Sequence, residues 1–221
     1  MMNYTYPIAS SGIGVMPKYK IMQKVIRTNC FMTRFMTRII RKAELPIWYT
    51  EGFNKHPYIN FALPLSLGFE SDYEVCDFKI TEDLSLENIE QRFKNVFPKG
   101  IELIKADYPN FKPKEIKFAE YQINFTEDLS KELSDFLNKD SIIVTKKGKK
   151  GKTTEIDLKP HIIKCEIIDC NKNTKLKLIL PAGGELNINP SLLINEFVKE
   201  KDIPFVIIRK SLLLENFNIF N

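Results

Sequence analysis

Residues 43–71, AELPIWYTEGFNKHPYINFALPLSLGFES, cannot form one long helix or strand. Pro46, Pro57 and Pro64 each lack a backbone donor, and Gly52 and Gly68 weaken either element. The stretch reads as short extended pieces joined by turns, with 59–63 extended. Such a construction displays side chains from a rigid loop.

Regular elements flank it. Upstream, 19–26 suits a strand and 29–43, NCFMTRFMTRIIRKA, a helix. Phe31, Phe35 and Ile39 recur at i, i+4 and i+8, with Met32, Met36, Ile40 and Ala43 beside them, giving a wide apolar face. Thr28 or Asn29 can cap the start, and Leu45-Pro46 ends the helix. Downstream, 73–80 alternates as a strand. A helix over 86–97 opens after Ser85 and stops at Pro98 and Gly100, and 101–106 is a further strand. The order is β-α-β-β-α-β, the ferredoxin-like pattern.

Beyond a linker at 109–113 (PNFKP) the logic repeats. A strand at 118–125 and a helix at 129–137 precede a hairpin of 141–145 with 154–158. Strands at 162–168 and 175–180 are separated by DCNKNT, a helix at 190–199 begins with Pro190, and 205–213 is the last strand. Setting the hairpin aside leaves a second β-α-β-β-α-β. The expectation is an α+β protein of two tandem ferredoxin-like domains with antiparallel sheets. The N-terminal domain, 18–110, carries the Gly/Pro loop, and the C-terminal domain, 114–221, carries the hairpin. Residues 1–17 form a leader that need not be ordered.

With 221 residues, 43% of them apolar, the chain can bury one large core or two small ones. No apolar run approaches the ~20 residues needed to cross a bilayer, and the opening residues lack the pattern of a signal peptide. Cys30, Cys76, Cys165 and Cys170 have no CxxC spacing. These features point to a soluble cytoplasmic protein with no membrane contact, zinc knuckle or disulfide framework. Charge is uneven: residues 1–43 hold eight of the 33 Lys and Arg and none of the 28 acids, so the remainder carries 25 against 28. A basic first segment on a nearly balanced body is an electrostatic footprint for a polyanion.

Arg34, Arg38 and Arg41 fall at i, i+4 and i+7 of the first helix, with Arg27 and Lys42 nearby. Guanidinium forks on one face suit an RNA backbone, and the alternative is a solvated face opposite the Phe/Met stripe. In the loop, Tyr49, Phe53, His56 and Tyr58 interleave with Glu51, Asn54, Lys55 and Asn60. Aromatics beside cations and amides can hold an unstacked base, or Phe53 and Phe61 can plug the loop onto the sheet. His56 is the best general-base candidate, with no partner in view. Glu70, Asp72 and Glu74 alternate near Asp77; hard oxygens there suit Mg²⁺, but an exposed strand face, or an edge blunted with charge, is the usual reading. The turn KKGKKGKTT at 146–154 fails the phosphate-loop pattern, because its glycines stand too close together. Lys146, Lys147, Lys149, Lys150 and Lys152 read instead as a basic hairpin tip. The chain contains no Ser-His-Asp order, nucleophile elbow, HExxH or dinucleotide fingerprint, and no CxxxCxxC cradle for a radical SAM cluster.

The stretch LPIWYTEGFNKHPYINFALPLSLGFES resembles the signature of the radical-SAM-associated family, a domain of unknown function found beside or fused to radical SAM proteins. The pattern LP-x-x-YS-x-GFNPHP-x-x-SFA-x-PL-x-x-G-x-x-S is met by Leu45, Pro46, Tyr49, Gly52, Phe53, Asn54, His56, Pro57, Phe61, Ala62, Pro64, Leu65, Gly68 and Ser71. The helix resembles the family's R-x-x-x-R-x-x-RRA run at Arg34, Arg38, Arg41, Lys42 and Ala43. Residues 155–160, EIDLKP, and LILPAGGELNINPSLL resemble its later segments, with Asn189 in place of the usual Arg. Two departures stand out: Thr28, Asn29, Cys30 and Phe31 replace the family's Ser-His-Leu-Asp, and Lys55 replaces the proline before His56. The missing His and Asp would be the acid–base partners of His56.

The resemblance implies a radical SAM partner and a setting near translation and RNA processing. Together with the basic helix it yields one leading expectation: a non-catalytic module binding structured RNA (tRNA or rRNA) beside a radical SAM enzyme. Its motif pocket would comprise Tyr49, Gly52, Phe53, Asn54, His56 and Pro57, and no cofactor or metal is expected. The alternatives are a metal-independent endoribonuclease using His56, or a module that only docks on the radical SAM partner.

Overall fold

A computed structural model describes residues 18–25, 32–147, 153–170, 172–201 and 203–220. The first half contains β1 (Lys18–Val25), α1 (Met32–Lys42), β2 (Ile59–Phe61), β3 (Glu70–Lys79), α2 (Leu86–Lys94) and β4 (Ile101–Asp107). The second contains β5 (Phe118–Phe125), α3 (Ser130–Leu137), β6 (Ile143–Lys147), β7 (Thr153–Asp157), β8 (Lys164–Asp169), β9 (Thr174–Pro181), α4 (Pro190–Phe197) and β10 (Phe205–Leu213). The architecture is α+β, with four helices among the described residues and a largely antiparallel sheet.

That sheet is continuous and eight-stranded, in the order β4-β1-β3-β10-β5-β9-β8, with β2 also on β3. Separate sheets for the two halves, as expected from sequence, are replaced by one. The junction is made by β3, whose ten residues suffice for two partners on one edge. Cys76, Asp77 and Phe78 pair antiparallel with β2, whereas Glu70 and Ser71 pair parallel with Ile208 and Arg209 of β10. Within 109–113, Phe111 packs on the larger core and its ring lies 6.3 Å from that of Phe220.

Local sequence explains most elements. On α1, Met36, Ile39 and Ile40 are buried, as is Ala43 just past its end, while Arg34, Arg38, Arg41 and Lys42 are exposed. The helix closes with Leu45 N–H donating to Ile40 O and Glu44 N–H to Arg41 O, Glu44 taking φ 53°. Ser85 caps α2 by accepting from Asn88 N–H, and Asn189 caps α4 by accepting from Ser191 N–H. β5 alternates strictly, burying Ala119, Tyr121, Ile123 and Phe125. The β6–β7 hairpin is a separate pair whose base is held by Ile142, Val144 and Leu158 in the larger core. A smaller core joins α1 and α2 to Cys76 and Phe78.

The helices α2 and α4 stop at Lys94 and Phe197, short of the expected 97 and 199, and β3 starts three residues early, at Glu70. In α2, Val96 and Phe97 N–H both turn back to Phe93 O, which ends the helix before Pro98.

Candidate nucleic-acid interface

The 43–71 stretch divides into two parts with different fates. In the first, Ile47 bridges to Ile80 and Tyr49 to Pro57, so 47–58 forms a small irregular hairpin. Its base is tied to β3: Trp48 N–H donates to Lys79 O, Lys79 N–H to Tyr58 O, and Tyr58 N–H to Trp48 O. The Lys79 ammonium lies 4.8 Å from the Trp48 ring and 4.7 Å from the Tyr58 ring, held between two aromatic faces.

Above this base, Thr50 N–H donates to His56 O at 2.9 Å and His56 N–H to Thr50 Oγ1 at 3.2 Å. His56 Nδ1 lies 3.1 Å from Asn54 O and 3.1 Å from Thr50 Oγ1. A carbonyl oxygen only accepts, so the neutral ring carries its proton on Nδ1 and leaves Nε2 as the basic nitrogen. Gly52 takes φ 121°, a conformation that side chains rarely adopt, with nothing within 4 Å of an added Cβ. Backbone geometry, rather than space, accounts for glycine there. Residues 51–56 are all exposed, and Phe53 reaches 112% of its reference exposure.

A contact joins the neck of this tip to α1. Arg41 donates to the Tyr49 hydroxyl from Nη2 at 2.7 Å and from Nε at 3.2 Å, with its guanidinium 5.9 Å from the Tyr49 ring centre. The C-terminal end of the arginine row therefore abuts the neck of the aromatic tip. Phe61 does plug onto the smaller core, and Phe53 does not.

The second part of the stretch is architectural. Arg209, 2% exposed, donates from Nε to Glu74 Oε1 at 2.8 Å and from Nη2 to both carboxylate oxygens at 2.6 and 2.5 Å. Nη2 also reaches Leu63 O at 2.7 Å. Burial pulls the Arg209 pKa down, but the Glu74 charge outweighs it and the value stands above the ordinary one. Ser71 Oγ donates to Arg209 O at 3.2 Å, and Asn189 Nδ2 to Ser66 Oγ at 3.2 Å. Positions 63–71 thus weld the halves together. Beside the weld lies a cleft of about 290 Å³ walled by Ser66, Phe69, Asn189 and Phe205, and neither it nor the adjoining 30 Å³ cavity is lined by the tip. The expected motif pocket is therefore a protruding tip, with Tyr49 engaged by Arg41 and Pro57 in its neck.

The acidic run is placed differently from either expectation. Glu74 and Asp77 are 1% and 2% exposed on an interior strand, not an edge, while Asp72 pairs with Lys210. No group of three metal-ligating side chains gathers among the described residues. Arg209 escaped the sequence reading, although a lone arginine within the apolar run FVIIRKSLLL is the signal of a buried ion pair. In EIDLKP, Asp157 Oδ1 accepts from Ile142 and Lys159 N–H and closes the hairpin base. Lys146 and Lys147 lie on β6, but their side chains, like Arg27, Lys149, Lys150, Lys152 and the 28–31 departures, lie outside the described residues.

Fold and surface together define an α+β protein with a single fused sheet and a basic, aromatic-tipped face. The chain belongs to the DUF2344 family, described as uncharacterized proteins conserved in bacteria, the match covering residues 31–190. No curated protein matches it. No described helix is long and apolar enough to cross a membrane.

Proposed function

We propose that this chain is a non-catalytic module that binds structured RNA, a tRNA or an rRNA element, and presents it to a radical SAM enzyme in RNA modification or translation-related processing. The observation carrying the proposal is the Arg41–Tyr49 contact, which ties an acid-free helix face to the neck of an exposed aromatic tip. Arg34, Arg38, Arg41 and Lys42 meet phosphates, the tip supplies the specific contacts, and the 146–152 hairpin is an outer clamp. The fold is read as two tandem ferredoxin-like domains, 18–110 and 114–221, fused at β3–β10. The orders β4-β1-β3-β2 and β8-β9-β5-β10 support that reading. The setting is cytoplasmic, and the radical SAM partner rests on the resemblance of the 45–71 signature.

The test is RNA affinity across a salt series for wild type and R34E/R38E/R41E. Each phosphate contact contributes about 0.7–0.9 to the slope of log affinity against log salt, so losing three should flatten it by roughly 2–3. Unchanged affinity in a folded triple variant overturns the proposal. A second reading, a metal-independent ribonuclease, is favoured by the anchored His56 with its basic Nε2 at the surface. It requires defined RNA fragments in EDTA that disappear in His56→Ala.

A further inference from the structure

We infer that the tip selects an unpaired nucleobase, so that the RNA class recognised is a loop or bulge and not a continuous duplex, with Phe53 as the stacking platform. This rests on the RNA-binding reading above and assigns the tip its ligand.

The first ground is exposure. Phe53, at 112%, packs against nothing among the described residues, although a phenyl ring in water loses the favourable term that burial supplies. It sits on a braced turn: the Thr50–His56 bonds, the Asn54 O–His56 contact and the Gly52 backbone fix the chain on either side. An aromatic ring presented on a preorganised tip pays little ordering cost when it meets a flat partner.

The second ground is what surrounds the ring. The Asn54 side-chain amide makes no hydrogen bond among the described residues, and His56 offers Nε2 as an acceptor beside it. Donors and acceptors next to a stacking face are what reading a base edge requires. They argue against insertion into a bilayer, where an amide and an imidazole would lose water without replacement. The adjoining helix face carries Arg34, Arg38, Arg41 and Lys42 with no acid, which matches phosphates flanking an extruded base.

The third ground is geometric. In an RNA duplex the base faces are covered by their neighbours and the major groove is too narrow for side chains, so a protruding phenyl ring has no face to meet. An unpaired base in a loop, bulge or single-stranded overhang offers one.

The experiment compares the full chain binding to an RNA hairpin and to a blunt duplex of the same stem. Variants are Phe53→Ala, Phe53→Leu and Phe53→Trp, none of which disturbs packing at so exposed a position. Stacking on one base implies about 5- to 150-fold weaker hairpin binding for the Ala and Leu variants. Phe53→Trp should bind as wild type, and duplex binding should be the same for all four proteins. Leucine performing as phenylalanine, equal losses on hairpin and duplex, or Phe53-dependent binding to phosphatidylserine vesicles with intact hairpin binding each overturn the inference. If hairpin and duplex bind equally through the arginines, this inference fails while the RNA reading stands. If neither RNA binds at low salt, both fail.

Discussion

Replacing Arg209 with methionine tests whether the weld between β3 and β10 holds the two halves as one body. The guanidinium makes three contacts of 2.8 Å or less to Glu74 and one of 2.7 Å to Leu63 O, and the two side chains are 2% and 1% exposed. Methionine keeps most of the volume but leaves a buried carboxylate without its cation and the Leu63 carbonyl without this donor. Breaking one side of a buried pair costs about 3–5 kcal/mol. For a chain of this length each kcal/mol lowers Tm by roughly 2–4 °C, so the midpoint should fall by about 6–20 °C. Thermal and urea unfolding followed by circular dichroism read this directly.

A paired variant, Glu74→Leu with Arg209→Met, removes both charges and should recover most of the loss, because an apolar pair needs no compensation. A single-variant loss below about 1 kcal/mol, or a double variant as damaged as the single one, would refute the reasoning. The tip hangs from β3 through the Trp48, Tyr58 and Lys79 backbone bonds and not through Arg209. Folded Arg209→Met should therefore bind RNA as wild type does.

Two further outcomes follow from local geometry. Gly183 has φ 130°, and an added Cβ would lie 2.3 Å from Ile116 O, a backbone atom that cannot swing away. Gly183→Ala should lower unfolding free energy by about 1–3 kcal/mol, while Gly184→Ala, where nothing lies within 4 Å, should not; equal effects in a urea melt contradict this. Asp128 is held below its ordinary carboxyl value, first by the Ser130 backbone N–H, then by the Ser130 side chain against opposing burial, with Thr174 adding. A lowered folded pKa means the stabilisation is present above the unfolded value of 3.8 and is lost as pH falls through the folded one. Asp128→Asn should flatten the acid limb of Tm against pH, and an unaltered limb would discount the interaction.

What could be read in advance was local. The described part of the Phe/Met/Ile stripe of α1, the Ser85 cap, the Pro190 start of α4 and the strand at 118–125 each follow from neighbours within a turn or a strand, and each is present. The fusion of the sheets was not legible, because it depends on a two-residue parallel pairing between positions 138 apart. Without that pairing, an alternating acidic strand such as 70–77 looks like an exposed edge. The chain's own evidence to the contrary was Arg209, a cation set among apolar residues, and only its partner tells what it neutralises. Phe53 and Phe61 were equivalent as plugs in the sequence, and the positive φ of Gly52 together with the Thr50–His56 clasp turns one outward while the other packs.

The division of residues 43–71 bears on how the site works. A display tip on an isolated hairpin would fluctuate, since two strands alone are marginal in water. Here the neck is bonded to Lys79, near the end of β3, and the start of that strand is paired to β10, so the tip inherits the rigidity of the whole sheet. Arg41 then sets the distance between tip and helix by gripping Tyr49. Substitutions at 63–71 should therefore act through folding, and substitutions of the exposed side chains Phe53, Asn54 and Lys55 through binding with Tm unchanged. One contiguous motif carries both duties because the strand that joins the halves is also the strand that holds the tip.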